Sequence, residues 1–256
     1  MNASRLGTCL SVVGLALGLA ACSATPPPAP VKPYNPVAYA PTNPDNVRVK
    51  VSLQNRAVYV MEGDEPLMVT AVAIGRPGKE TPTTGNGRVT VKEHRKRSGT
   101  YGFWVRGSEV IPGERTKPPG GSGWRYQGHP MQWWVQWRPA YGFHEGAWPT
   151  GHDQRSAGCI RLHRNAAPKF YALVRVGTPV SILQTQPEDL TIGRDIERPS
   201  DYNPHDPHYN PARQVTNAVF DDINPRTLLV QRPRTGVGSD AVADAAGRDP
   251  RVSLAR

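Results

Sequence analysis

The sequence predicts a mainly β domain, a barrel or sandwich with one or two short helices, between two disordered flanks. Between residues 46 and 184, short apolar segments follow one another, separated by turns rich in Gly and Pro. Such segments are typical of β-strands, and many short strands with few helices favour a barrel or sandwich. Residues 23–45 are rich in Pro, and from about residue 187 the chain is poor in apolar residues and rich in Pro, Asp, Asn and Arg, which is typical of disorder.

The strands are predicted from periodicity. Residues 47–53 alternate between apolar and polar, which indicates a half-buried strand, and QNR after them favours a hairpin. Residues 67–74 are nearly all apolar, which predicts burial on both faces. The predicted strands are VRVKVSL (47–53), AVYVM (57–61), LMVTAVAI (67–74), RVTVK (88–92), MQWWVQW (131–137) and TPVSIL (178–183).

One helix is predicted before the last strand. Asn165 suits an N-cap and Pro168 suits the first turn. Phe170 and Leu173 then fall on one face, and Gly177 favours termination.

The first residues predict export. Arg5 precedes a weakly apolar run over residues 6–21, which is typical of a secretory signal and short for a membrane span. The run ends in LAAC, which resembles a bacterial lipobox; this implies cleavage before Cys22 and a lipid anchor on its thiol. An ordinary signal with an incidental Cys22 is the alternative. Ser23 favours the outer over the inner membrane for a protein anchored in the periplasm.

The predicted organisation has four parts. They are a lipoprotein signal peptide (1–21), a Pro-rich linker after lipidated Cys22 (22–45), a catalytic domain (46–184) and a disordered tail (185–256). The net charge is +10 at pH 7. For an exported protein this indicates anionic headgroups or cell-wall polymer as partners instead of nucleic acid, unless the basic surface is merely solvated.

Cys159 is the only thiol that the mature domain would retain, because Cys9 lies in the signal and Cys22 would carry lipid. Exported domains usually pair their cysteines in disulfides. A lone thiol is therefore either an accident of the core or a nucleophile, and composition does not decide between them.

A nucleophilic thiol needs a base, and imidazole is the usual one. His144, His152 and His163 are all candidates. His144 is favoured because Gly142 and Gly146 around it allow another chain to approach closely. The remaining histidines are set aside as tail, basic-run or loop residues: His94, His129, His205 and His208.

The residues around Cys159 suit acyl transfer. Small Ala157 and Gly158 allow backbone N–H groups to face an oxyanion, and Arg161 can hold a carboxylate with paired hydrogen bonds. A tight turn with a surface arginine is the alternative. A zinc site of His152, Cys159 and His163 is disfavoured because structural zinc usually has four ligands in paired short spacings. The loop GRPGKET lacks the residues of a phosphate-binding P-loop, so a turn is expected. No metal or cofactor is predicted.

The segment FHEGAWPTGHDQRSAGCIRLH resembles the signature of the YkuD-type L,D-transpeptidases, a His segment followed by Ser-X-Gly-Cys-aliphatic-Arg. NVRVKVSLQNRAVYVMEG is similar to the family's opening hairpin, TPTTGNGRVTV to its Thr-Pro-X-Gly turn and strand, and VGTPVSIL to its closing strand. The resemblance spans residues 46–183. It departs from the family at Ala157, where His is frequent, and at Glu145, where Gly is usual; residues 108–128 form an insert, a lid or a plain loop.

The resemblance implies a fold and a mechanism. Cys159 attacks peptidoglycan stem peptides between the diamino acid and the terminal D-alanine, and His144 transfers the proton. The Glu145 carbonyl orients His144, and the Gly158 N–H serves the oxyanion. The expected substrate-contacting residues are Arg161, Ser156, Trp134 and Tyr141, with Trp133 a further cleft residue unless core packing takes one of the Trp residues.

The acyl group then passes to an acceptor. A second stem gives a 3–3 cross-link, an amine of an envelope protein gives protein attachment, and water gives carboxypeptidase action. A catalytically inactive peptidoglycan-binding lipoprotein anchor is the alternative from another functional class.

Overall fold

We analysed a computed structural model of the chain, which describes residues 32–76, 78, 84–146, 156–199, 201 and 206–232. The predicted signal peptide, Cys22 and His152 lie outside the described residues, as do most of the GRPGKET loop and the end of the tail. Among the described residues no helix is long and apolar enough to cross a membrane.

The described residues form ten strands and two short α-helices. The strands are β1 (Val47–Ser52), β2 (Ala57–Glu62), β3 (Glu65–Ala73), β4 (Gly85–Arg88), β5 (Val91–Arg106), β6 (Glu109–Glu114), β7 (Arg125–Arg138), β8 (Tyr141–Glu145), β9 (Ile160–Leu162) and β10 (Pro179–Leu183). The helices are α1 (Ala167–Leu173) and α2 (Pro211–Gln214). Short 3₁₀ helices cover Pro44–Asn46, Pro187–Leu190, Pro207–Tyr209, Asn217–Val219 and Pro225–Leu228. The prediction of a mainly β protein with one or two short helices is confirmed.

The ten strands form one open sheet in the order β4-β10-β1-β2-β3-β9-β8-β7-β5-β6. Neighbours are antiparallel except for two parallel pairs, β1 with β10 and β8 with β9. The sheet is curled, which brings β4 close to β7 although they are far apart in the strand order. A Cβ added at Gly87 of β4 would be 3.5 Å from the Trp137 carbonyl oxygen of β7. The second parallel pair is the one that positions the candidate site.

The core lies on one face of this sheet, under α1. In β1 the residues Val47, Val49 and Val51 are buried while the residues between them are half-buried, as alternation predicts. From the other end of the sheet, Phe143 of β8 packs on Phe170 of α1, with ring centroids 4.7 Å apart. This contact holds the core face of β8 against α1. It therefore also fixes the direction of the side chains on the opposite face of β8.

Two predicted elements differ in detail. The predicted strand over residues 88–92 is divided, because the Val89 N–H donates to Thr178 and the Thr90 N–H to Gln136. The chain thereby changes partner from β10 to β7 and continues as the long strand β5. The N-cap of α1 is Ala166, not Asn165, whose side chain donates to the Tyr34 carbonyl instead.

The insert over residues 108–128 is part of a three-stranded extension. It contains β6 and the start of β7, both paired with β5. The Trp104 Nε1–H donates to the Glu114 carbonyl at 3.1 Å, and the Arg106 guanidinium lies over the Trp124 ring at 4.3 Å. The insert was expected to be either a lid or a plain loop. The described residues show regular strand pairing over much of it instead of a plain loop.

The prediction of disordered flanks is wrong for residues 32–45 and for the described residues between 185 and 232. Tyr34 and Ala38 are buried in the main core, and Val219 and Phe220 from the tail are buried outside it. The composition of the flanks wrongly indicated disorder. A segment with few apolar residues can still be held in place when its polar side chains donate hydrogen bonds to backbone groups of the sheet. Gln186 Nε2, for example, donates to the Val51 carbonyl at 3.1 Å.

Candidate active site

The parallel register of β8 and β9 assembles the candidate site. Phe143 lies opposite Ile160, and His144 lies opposite Arg161. Phe143 and Ile160 point into the core, so alternation directs His144 and Arg161 to the other face. Cys159 comes two residues before Arg161 and therefore belongs to the same face. Segments distant in sequence thus bring the imidazole of His144 opposite Arg161, whose charge acts on both His144 and Cys159.

His144 is held by its own strand. Its side chain is 7% exposed, and its Nδ1 lies 2.5 Å from the backbone carbonyl oxygen of Glu145. A carbonyl oxygen only accepts, so Nδ1 carries the proton and Nε2 of a neutral ring keeps its lone pair. Burial, followed by the positive charge of Arg161, lowers the pKa of His144 to about 3, against the opposing effect of the Glu145 hydrogen bond. The ring is therefore a neutral proton acceptor at neutral pH.

Cys159 is a free, partly buried cysteine. Its Sγ lies 4.0 Å from the Ala140 carbonyl oxygen. Burial raises the pKa of the thiol, and the Gly142 backbone and the charge of Arg161 oppose that rise. At rest the site therefore contains a neutral thiol and a neutral imidazole, and a thiolate formed during reaction would be stabilised by Arg161.

The turn before Cys159 is fixed by Ser156. The Ser156 side chain is 1% exposed; its Oγ accepts from the Gly158 N–H at 3.1 Å and donates to the Cys159 carbonyl. Gly158 has a φ of 110°, which favours glycine. Two predicted roles differ from this geometry. Ser156 holds the turn instead of facing a substrate, and the Gly158 N–H is engaged by Ser156 instead of pointing to an oxyanion.

Arg161 is half-buried, and the stem of its side chain lies over Gly146, where an added Cβ would be 2.8 Å from the arginine Cδ. Burial lowers the pKa of the guanidinium, opposed by a negative charge on Cys159. Its Nε is buried with no hydrogen-bond partner among the described residues. A buried cation of this kind favours a negative group nearby.

The comparisons with known proteins identify the family of the chain. The sequence model of the YkuD L,D-transpeptidase catalytic domain matches residues 46–182, more than half of the chain. The chain belongs to this family. No curated protein matches it.

Similar solved structures include an L,D-transpeptidase from Stackebrandtia nassauensis, 19% identical with a TM-score of 0.39, over 59% of this chain and 60% of that one. An L,D-transpeptidase from Mycobacterium smegmatis is 20% identical with a TM-score of 0.42, over 54% and 58%. The catalytic domain of the E. faecium L,D-transpeptidase is 19% identical with a TM-score of 0.39, over 54% and 96%. The chain spans about three fifths of the length of the first two proteins. Family membership rests on the sequence match.

The aromatic residues of this L,D-transpeptidase domain have different surroundings. Trp133 is 1% exposed and packs in the core, as predicted for one of the Trp residues. Trp134 is 2% exposed and tilts against His144, with ring centroids 6.0 Å apart. Tyr141 is half-buried, with the Arg138 guanidinium 5.5 Å from its ring centre. Trp134 therefore backs the imidazole, and Tyr141 is the ring with a surface toward solvent.

Sequence reasoning missed two histidines beside the site. His129 and His208 line a cavity of about 50 Å³ that also includes His144, Glu145 and Arg161. His208, set aside as a tail residue, has its Nε2 2.7 Å from Glu145 Oε1. The Asp-Pro-His order of the tail matches the 3₁₀ turn that carries His208, since the Asp206 side chain caps that turn.

Both ring nitrogens of His163 are bonded to residues outside the candidate site. Its Nε2 lies 3.2 Å from Asp201 Oδ1, and its Nδ1 accepts from the Asn165 N–H. Within the described part of the chain, no three His, Cys, Asp or Glu side chains are grouped to hold a metal ion. His152 lies outside that part.

Proposed function

We propose that this protein is a peptidoglycan L,D-transpeptidase that works through an acyl-enzyme on Cys159. The observation that carries the proposal is the β8–β9 register, in which His144 lies opposite Arg161, two residues after Cys159. Family membership supports the substrate class, because L,D-transpeptidases act on peptidoglycan stem peptides.

The reaction begins from neutral groups. Cys159 Sγ attacks the carbonyl carbon between the diamino acid and the terminal D-alanine of a stem, while His144 Nε2 takes the thiol proton. The imidazolium so formed keeps its Nδ1–H on the Glu145 carbonyl. It then gives a proton to the leaving nitrogen as the C–N bond breaks, which releases D-alanine and leaves a thioester on Cys159.

The second half restores the enzyme. An acceptor amine attacks the thioester carbon, His144 takes a proton from the amine nitrogen, and the C–S bond breaks as the thiol recovers its proton. Arg161 supports the thiolate in both halves, because its charge opposes the rise in the pKa of Cys159. A stem amine yields a 3–3 cross-link, an envelope-protein amine yields attachment, and water yields hydrolysis. The same residues serve all three outcomes.

Product analysis tests the proposal. The full-length protein in detergent is incubated with disaccharide-tetrapeptides, and the products are identified by mass spectrometry. Cross-linked dimers with loss of D-alanine are expected; loss of D-alanine alone would indicate a carboxypeptidase. Cys159→Ala should abolish both products, and His144→Ala should slow them by about a hundredfold to ten-thousandfold. Sacculus binding without any product, unchanged in Cys159→Ala, would instead support the inactive anchor.

The envelope location remains part of this proposal. It rests on the lipobox-like LAAC and the apolar run before it. Cell fractionation with lipid labelling is expected to place the labelled protein in the outer membrane. Cys22→Ser should lose the label and the membrane association; an unlabelled wild-type protein would contradict a lipid anchor.

A further inference from the structure

Residues 206–222, here called the C-terminal strap, run across β5, β7 and β8 and bond to residues of all three strands. Arg97 of β5 donates to the carbonyls of Gln214 and Thr216 at 2.9 and 2.7 Å. Gln132 of β7 donates to the Val219 carbonyl at 2.6 Å. The strap lies beyond residue 182, where the family match ends. It is therefore a part of this chain that the family assignment does not explain.

The strap makes a buried polar contact with the site strand β8. His208 Nε2 lies 2.7 Å from Glu145 Oε1, and the two side chains are only 11% and 4% exposed. The other carboxylate oxygen, Glu145 Oε2, is buried without a hydrogen-bond partner among the described residues. A buried carboxylate requires compensation, and His208 supplies it. The pairing raises the pKa of His208.

Glu145 connects this contact to His144. Its backbone carbonyl accepts from His144 Nδ1, and the same peptide unit donates through the Gly146 N–H to the Leu162 carbonyl at 3.2 Å. The peptide plane that orients the imidazole is thus held by β9 on one side. The Glu145 side chain, anchored by His208, restrains it on the other.

His208 is itself fixed on both sides. Its N–H donates to Asp206 Oδ1 at 2.8 Å, and its carbonyl accepts from Gln214 Nε2 at 2.7 Å. Asp206 Oδ2 in turn accepts from the Arg164 guanidinium at 2.7 Å. The imidazole of His208 is therefore presented to Glu145 by a rigid turn, not by a loose tail.

We propose that His208 is a positioning residue of the active site, which acts through Glu145 to keep the Nδ1–H tautomer of His144 aligned. The inference rests on the proposed function. It predicts that loss of His208 slows chemistry at Cys159 more than it weakens ligand binding, since it disturbs the orientation of the base and leaves the substrate-facing groups in place.

The test uses the full-length protein and imipenem, a carbapenem, as the acylating probe, followed by intact-protein mass spectrometry. His208→Ala should lower the maximal acylation rate by about ten- to a hundredfold, with little change in the half-saturating concentration. His208→Gln keeps an N–H donor for Glu145 and should recover most of the rate. Arg95→Gln is the matched control: it removes the exposed contact of Asp222 with β5, which involves neither the turn of His208 nor Glu145, and its rate should stay near that of the wild type.

Several results would overturn the positioning role. They are an unchanged rate in His208→Ala, an equal loss in Arg95→Gln, or no recovery in His208→Gln. Should His208→Ala fail to fold, His208→Asn replaces it. Asn is one methylene shorter than Gln and falls short of Glu145, so a rate equal to that of His208→Gln would contradict the proposal.

A second measurement is independent of activity. The ¹⁵N shifts of the His144 ring should show protonated Nδ1 and unprotonated Nε2 in the wild type and a mixture of tautomers in His208→Ala. Identical spectra would overturn the positioning role. A wild-type protein that imipenem does not acylate would count against the proposed function, and the ring spectra would still decide the role of His208.

Discussion

The two parallel strand pairs of the sheet have the same pairing geometry and different chemistry. In β1 and β10, Val49 lies opposite Val180 and Val51 opposite Ile182, all buried in the core. The polar residues of the other face are paired: Lys50 with Glu188, and Ser52 with Asp189 at 2.8 Å. The polar side chains of β1 thus hold the 3₁₀ helix Pro187–Leu190, which follows β10, against the sheet.

In β8 and β9 the core face is equally apolar, but the other face is incompletely paired. Phe143 and Ile160 are fully buried, whereas Arg161 has an orphaned Nε among the described residues. Burial, and then the charge of that same guanidinium, disfavours the protonated form of His144 beside it. An unmatched charge near a thiol is costly for stability. The difference between the pairs therefore separates strands that stabilise the fold from strands that carry the candidate site.

The largest expected effect tests whether the candidate site on one face of β8 depends on the packing of the opposite, core-facing side of that strand. Phe143→Ala removes a fully buried ring that contacts Phe170 and Trp137, so it should lower the free energy of unfolding by about 3–5 kcal/mol. Acylation should also slow at temperatures where the variant is folded, because the backbone of β8 is no longer fixed. Chemical denaturation and imipenem labelling measure the two effects.

Val51→Ala in β1 is the control for that comparison. It should lower stability by roughly 1–3 kcal/mol and leave the acylation rate of the folded protein unchanged. Equal slowing of acylation by both variants would mean that the two strand pairs are not functionally separate.

The next effect concerns Gly142, beside the thiol. A Cβ there would come 2.5 Å from the Trp134 ring, so Gly142→Ala should cost about 1–3 kcal/mol and displace Trp134 from His144. Acylation should slow in parallel. Gly99→Ala is the matched control, because nothing lies within 4 Å of a Cβ at that position. Thermal unfolding in which the two variants behave alike would contradict the close packing at Gly142.

These pairs also show which parts of the molecule the sequence could predict. The strand β1 follows from the alternation of apolar and polar residues, whereas β2 and β3 follow from apolar runs whose consecutive residues are buried. The strand β9 has only three residues, too few for any period, so its pairing with β8 could not be predicted; the choice of His144 rested on its flanking glycines and on the family resemblance. The contact of His208 with Glu145 joins residues 63 positions apart through side chains, and no local pattern encodes it.

A smaller effect tests how the strap is attached. Gln132 is 2% exposed; it donates to the Val219 carbonyl and accepts from the Asp221 N–H at 3.0 Å. Gln132→Ala should cost about 1–2 kcal/mol, because it leaves two strap groups unpaired. Gln136→Ala, in the same strand, removes an exposed bond to Thr90 at 3.2 Å and should be nearly neutral. Denaturant midpoints compare the two, and faster hydrogen exchange in the strap should accompany the first variant only.

The smallest effect concerns acid stability of the site. His144 has a pKa of about 3 when folded and an ordinary value of 6.5, so the unfolded chain binds the proton first as pH falls. Stability contributed by the neutral ring is therefore full above pH 6.5 and is lost as pH falls toward 3. Between pH 6.5 and about 5 the loss should be roughly 1.5 kcal/mol. His208 has the opposite sign, since its raised pKa adds stability in acid that is lost as pH rises through the folded value.

Urea unfolding at about pH 7.5, 6 and 5 separates these contributions when the wild type is compared with His144→Asn. The variant should lack that part of the acid dependence, while groups present in both proteins, such as His163 and His208, cancel in the difference. The difference in free energy between the two proteins should therefore shift in favour of the variant as the pH falls. Parallel pH dependence in the two proteins would show that the imidazole is protonated at an ordinary pKa, and the neutral base required at β8 would then be absent.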